Sequence, residues 1–185
     1  MYLCDDMMLF QSPIVWLLRV RKRKGYGVHS PFAFAFVTDV LYNNEQYYAY
    51  EKMDSGLRWW HKGRLRRVQR LLFRLANYRQ PVTLYSDGIR NKMQEALKYG
   101  ANVLEMRNVA DGIMADMIVA EAGNCHAMQH VGHGTMAVFM DIHKHRSFWK
   151  KVREDDRITV TFDLYDVGIA FARKDLNKQH YIINW

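Results

Sequence analysis

The sequence predicts a single α/β domain built on a mostly parallel sheet, and three observations carry that expectation. From Val82 onward, short apolar β-prone runs alternate with segments of helical period. Val82 to Glu105 reads as strand, loop, helix and strand, the size of a right-handed crossover between parallel strands. Near the end, Arg157–Leu164 and Ile169–Arg173 flank a Tyr-Asp-Val-Gly turn, the pattern of an antiparallel hairpin. The 185 residues suffice for one good core and are too few for two ordinary domains. A hydrophobic share of 49% with 14% aromatics excludes a disordered chain. Residues 1–80 therefore read as a helical N-terminal extension of the domain, and residues 81–185 as its α/β core.

Charge is distributed unevenly. Residues 1–81 hold 14 Lys/Arg against 6 Asp/Glu, while residues 82–185 hold 13 of each, so the formal charge of +8 lies before the core. Such asymmetry marks a segment able to face nucleic acid, membrane or an acidic partner. The run from Met7 to Val20 is broken by Gln11, Ser12 and Pro13, too short and interrupted to span a bilayer. Two cysteines, Cys4 and Cys125, form neither a disulfide framework nor a metal knuckle, and a cytoplasmic protein is expected.

Taken in order, Pro13–Lys24 reads as a helix whose cationic end suits the dipole. In His29-Ser30-Pro31-Phe32, Ser30 is a good N-cap and Pro31 a good first helical residue. The apolar positions Ala33, Phe36, Val37, Val40 and Leu41 follow at helical spacing. Residues 42–62 show no clean periodicity. Trp59-Trp60 within them is expected to pack in the core or an interface rather than stack on bases. Gly63–Tyr78 is strongly amphipathic, with Leu65, Val68, Leu71, Leu72 and Leu75 on one face. Arg66, Arg67, Arg70 and Arg74 form the other, expected as a solvated outer face and a possible contact for protein or nucleic acid.

In the central unit, Val82–Tyr85 forms the first strand and Ser86-Asp87-Gly88 breaks it. Ile89, Met93, Ala96, Leu97 and Gly100 mark the helix, and Val103-Leu104 opens a second strand closed by Glu105. A loop at a helix N-terminus favours an anionic or polar ligand. An acid ending the second strand, here Glu105, stands where nucleotide sites hold ribose hydroxyls. The loop carries one glycine where a cofactor loop usually carries several. Further strands are expected at Asp116–Ala120 and Thr135–Met140, helices at Asn124–Val131 and Arg146–Arg153, and a last short strand at Tyr181–Ile183.

GVHSPFAF, LLFRLANYRQP, MDIH, FDLYDVGIAFARK and KQHYIINW resemble, in order along nearly the whole chain, a family of bacterial class I S-adenosylmethionine-dependent methyltransferases. The resemblance implies a Rossmann-like methyltransferase sheet. It also implies S-adenosylmethionine held by the Asp87–Gly88 backbone and Glu105, with Asp141 and His143 nearest the methyl acceptor as orienter or base. The departures imply a shortened, degenerate member. Where the family resembles ELGTxxGxxT, this chain reads LYSDGIRNK and keeps only Gly88. Arg107–Ala115 is too short for the family's helix, strand and helix, so one edge strand of the sheet is expected to be missing. The expected function is a non-catalytic interaction module with lost or weakened cofactor binding. An active methyltransferase on an unknown acceptor is the alternative. Glu121, Asp141 and His143 are weak metal candidates, because carboxylates ending neighbouring parallel strands converge. Their spacing matches no tight metal signature, and no metal is expected.

Overall fold

A computed structural model describes residues 28–55, 63–101, 107–108 and 113–185. The helix expected at Pro13–Lys24, the Trp59-Trp60 pair and Glu105 lie outside the described residues. One sheet of seven strands organises the rest: β1 (Thr83–Asp87), β2 (Arg107–Asn108), β3 (Met117–Glu121), β4 (Met136–Met140), β5 (Val160–Asp163), β6 (Val167–Phe171) and β7 (Gln179–Ile182). Their order is β2-β1-β3-β4-β6-β5-β7. Only β6 runs against the others, because the terminal hairpin folds β6 between β4 and β5. The class read from the sequence, a mostly parallel α/β sheet ending in a hairpin, is the one observed.

Strand side chains alternate between two cores, as period-2 geometry requires. Met117, Val119, Met136, Val138, Val160, Phe162, Ile169 and Phe171 enter one cluster. Ile118, Ala120, Ala137, Phe139 and Ala170 enter the other. The first face is covered by α1 (Pro31–Ala35) and the π-helical turn Phe36–Leu41 that continues it, with α2 (Tyr48–Asp54), α3 (Arg64–Arg79) and α4 (Asn91–Gly100). The second is covered by the 3-10 turn His126–His130 and α5 (Arg146–Glu154), whose Phe148, Trp149 and Val152 point inward. Helices on both faces make a three-layer sandwich.

Local chemistry explains the element ends. Ser30 caps α1 by accepting a hydrogen bond from the Ala33 amide at 3.4 Å, and Pro31 follows at the first helical position. Phe32 is half-buried, its ring edge-on to Phe171 at 5.2 Å. Helix α3 ends at Gln80, which takes the left-handed conformation (φ 45°). Beyond it, Asp116 accepts from the amides of Val82 and Thr83 and from the Thr83 hydroxyl, and Arg79 reaches its other oxygen at 3.3 Å. Burial acts to raise the Asp116 carboxyl. The donors from Thr83 and Val82, with Arg79, outweigh it and hold the group below its ordinary value.

The structure corrects several expectations. Ser86 and Asp87 belong to β1, paired with Val119 and Ala120 of β3, so the turn begins only at Gly88. Arg107 and Asn108, expected in a connector, form β2 and pair with Thr83 and Leu84. Two polar residues give no strand pattern in sequence, yet backbone pairing along one side suffices at a sheet edge. Among the described residues no strand lies outside β2, and β7 adds one at the opposite edge, parallel to β5. Helix α2 was not foreseen in the aperiodic stretch 42–62; Tyr50 and Met53 are its buried residues.

Gly168 in β6 lies under the indole of Trp149, where an added Cβ would come within 2.7 Å of two ring carbons. Gly168→Ala should therefore overpack the second core and lower stability by roughly 1–3 kcal/mol, read as an earlier urea midpoint. An unchanged midpoint would show that Trp149 has room to move.

Candidate functional site

Of the residues the sequence singled out, Asp87, Gly88, Glu121, Asp141 and His143 lie at or just beyond the C-terminal ends of β1, β3 and β4. Antiparallel pairing of β4 with β6 sets Met140 opposite Val167, so continuing the register sets Asp141 beside Asp166. The Ile142 amide donates to the Asp166 carbonyl at 3.2 Å, which holds the two segments together. Like charges facing each other across strands are destabilising unless a cation lies between them. Arg64, the first residue of α3, supplies that cation. Its Nη2 lies 2.6 Å from Asp141 Oδ1 and 2.9 Å from Asp166 Oδ1. Lys144 approaches the other oxygen of Asp141 at 3.5 Å.

Backbone conformation concentrates at the same place. Asp141 (φ 57°) and Tyr165 (φ 76°) adopt the left-handed region, which non-glycine residues rarely enter. The His143 side chain is only 6% exposed. Its Nδ1 lies 3.2 Å from Asp166 Oδ1, within ion-pair range but off the line of a hydrogen bond, and neither ring nitrogen has an aligned partner. The imidazole stacks on Tyr165 with centroids 5.0 Å apart and planes 10° from parallel. Arg146 stands 5.3 Å from the Tyr165 ring and pairs with Asp163 at 2.9 Å. Burial acts to raise the Asp166 carboxyl, but His143 and the Arg64 guanidinium more than offset it and hold it below its ordinary value.

The ends of β1 and β3 form a second group. Asp87 accepts a hydrogen bond from Asn124 Nδ2 at 2.7 Å. Gly88 turns the chain with φ +70°, and an added Cβ would meet the Glu121 side chain at 3.3 Å. Gly123 (φ +99°) lies against the His145 imidazole, with an added Cβ 3.1 Å from Nδ1. Gly88 and Glu121 thus stand together beside Asp87, whereas the sequence reading grouped Asp87 and Gly88 with Glu105, and Glu121 with Asp141 and His143. Asp141 and His143 are brought together through Asp166 in the other group. Glu105 lies outside the described residues.

Asp141, His143 and Asp166 place one potential ligand atom each within 4.8 Å of one another. Glu121, the other candidate, is not among them. The two carboxylates already share Arg64, and a divalent ion between them would have to displace that guanidinium. Asp166 and Arg64 escaped the sequence reading. The signal for Asp166 was present in the hairpin register, but the partner of Asp141 depends on which strand β6 joins.

The arginine face of α3 also differs from expectation. Only Arg67 is exposed, while Arg66, Arg70 and Arg74 are partly buried. Asp54 at the end of α2 takes Arg66 at 2.5 Å and Arg70 at 2.8 Å. Arg74 donates to the carbonyls of Leu41 and Asn43 at 3.2 and 3.3 Å. The face is therefore largely engaged within the protein. Among the described residues no helix is long and apolar enough to cross a membrane. Comparison of the chain with family models, curated proteins and solved structures finds no match.

The depressed Asp166 carboxyl gives a pH prediction. A group that titrates lower when folded adds stability that is complete above its unfolded value and is lost as pH falls through the folded value. Asp166→Asn should lower stability at neutral pH and shrink the further loss seen below about pH 4. Urea midpoints of both proteins from pH 7 to pH 2.5 check this. An acid limb of unchanged depth in the variant would show that Asp166 is not held by Arg64 and His143.

Proposed function

We propose that the chain is a methyltransferase-like α/β domain that has lost or greatly weakened S-adenosylmethionine binding and acts as a non-catalytic interaction module. The strand order, with β1 and β3 adjacent at the centre and the hairpin at one side, is compatible with the sheet that the family resemblance implies. The observation that carries the loss of binding is the filling of the turn after β1. Glu121 lies over Gly88 close enough that a Cβ there would touch it, and the Asp87 carboxylate stands at the same strand end, tied to Asn124. The amino-acid end of the cofactor would meet a turn crowded by the Glu121 side chain instead of a free glycine backbone. Losing two or three contacts at roughly 1–3 kcal/mol each weakens affinity by orders of magnitude.

The ion pairs at the end of β4 weigh against the active alternative. Were Asp141 a base for a methyl acceptor, its carboxylate would need to reach the acceptor proton. Instead it is held by Arg64 at 2.6 Å, and an acceptor would have to displace that guanidinium to reach it. The arrangement serves better as a clamp, tying the start of α3 to the β4–β6 edge.

Isothermal titration with S-adenosylmethionine and S-adenosylhomocysteine tests the reading, and no saturable heat is expected at micromolar ligand. Saturable micromolar binding that Glu105→Ala or Asp87→Ala weakens would restore the active methyltransferase.

A further inference from the structure

The cleft between the segment Leu41–Asn44, the arginine face of α3 and the C-terminal pair Asn184-Trp185 has a volume of about 340 Å³. That lies at the small end of ligand sites, within reach of a mononucleotide or something smaller. Arg67, Arg70 and Arg74 line it. With Arg66 beside them, four guanidiniums share one carboxylate, Asp54, which pairs with Arg66 and Arg70 alone. Arg67 and Arg74 meet no carboxylate among the described residues. Among the described residues, Arg67 and Arg74 thus concentrate positive charge on a concave surface without a paired carboxylate.

The walls are fixed before any ligand arrives. Trp185 Nε1 donates to the Leu41 carbonyl at 2.9 Å, and the same oxygen accepts from Arg74 at 3.2 Å. The Tyr42 hydroxyl donates to the Asn184 carbonyl. Arg67 lies over the Trp185 ring at 4.9 Å, and Arg70 over the Tyr50 ring at 4.4 Å. Stacked and hydrogen-bonded guanidiniums have already lost much of their side-chain freedom, so a ligand gains their charge at a reduced entropic penalty.

We infer that this cleft binds a small ligand through a phosphate group, held by Arg67, Arg70 and Arg74. A phosphate offers three acceptor oxygens to several guanidinium forks at once, where a carboxylate offers two. The inference names a ligand for the interaction-module reading and rests on it. A cleft of about 340 Å³ suits a small molecule better than a nucleic-acid backbone.

The test is isothermal titration of the full chain with inorganic phosphate and with AMP, at low salt and at about 0.3 M salt. Saturable binding that weakens with salt is expected. Arg67→Glu should weaken it at least tenfold, while Lys150→Glu, an exposed site on α5 across the sheet, should leave it unchanged. Should the charge reversal disturb folding, Arg67→Gln is measured instead, with the same direction of effect. AMP binding more tightly than phosphate assigns a nucleotide, and equal affinities assign the phosphate group alone. Binding of neither probe, or binding that the Arg67 variants leave intact, overturns the inference. Titration of S-adenosylmethionine, which carries no phosphate, separates the two proposals. Its binding would overturn the module reading and leave the result at the cleft standing.

Discussion

The constraint on which the rest of the fold depends is the burial of the central strands on both faces. Met117 to Ala120 of β3 and Met136 to Phe139 of β4 are all at 0% exposure. A strand apolar on both sides must be covered twice, which is why parallel sheets of this kind carry helices on each face. At 25 cal/mol per Å², burying such side chains dominates any single polar contact in the molecule. The two cores follow from this, and so does the close approach of α3 to α4. At Gly100, an added Cβ would come within 2.3 Å of the Phe73 carbonyl oxygen, so that crossing accepts hydrogen alone. With both faces committed to packing, polar chemistry is confined to the strand ends and to the outer surfaces of the helices.

At the strand ends the fold creates its own electrostatic problem. Inserting β6 beside β4 sets Asp141 and Asp166 next to each other, and left-handed backbone at Asp141 and Tyr165 adds strain. Arg64 answers the charge, and its position at the start of α3 adds the positive end of that helix dipole. The same contact fixes the angle at which α3 meets the sheet. At the opposite end of β3, Asp116 performs the matching task through the amides of Val82 and Thr83 and through Arg79. Helix α3 is therefore tied by arginines near both its ends, to carboxylates at the two ends of the sheet.

Much of this was legible in the amino-acid sequence, and the misses have definite causes. The apolar runs around Met117 and Met136 declared buried strands, and the alternation around Val160 a half-buried one that the structure buries on both faces, while Val167 and Gly168, read as part of the turn, open β6. Ser30-Pro31 declared the start of α1 through cap chemistry, which is local. Arg107-Asn108 was missed because pairing at a sheet edge is a backbone event that leaves no side-chain pattern. The inclusion of Ser86-Asp87 in β1 was missed for a related reason, since β3 extends the ladder past the apolar run. The candidate site was half legible. Asp87, Gly88, Glu121, Asp141 and His143 fall at strand ends as topology requires, whereas Arg64 and Asp166 become site residues only through contacts 77 and 102 positions away from Arg64.

The distribution of the arginines links the two proposals. The basic excess before residue 82 suggested an open cationic surface, yet the fold engages Arg64, Arg66, Arg70 and Arg79 with Asp141, Asp166, Asp54 and Asp116. Those contacts supply the cations that the strand ends and α2 require, and among the described residues they leave Arg67 and Arg74 without carboxylates. Charge not neutralised among the described residues is then concentrated beside Trp185, in the cleft that Arg67, Arg70 and Arg74 line. The crevice at the end of β1 has the opposite character, with Asp87 and Glu121 bringing negative charge to its turn. Electrostatics therefore moves the favoured place for an anion away from the end of β1 and onto the outer side of α3. A domain with that inversion can keep the architecture of a cofactor enzyme while binding its ligand at a different surface.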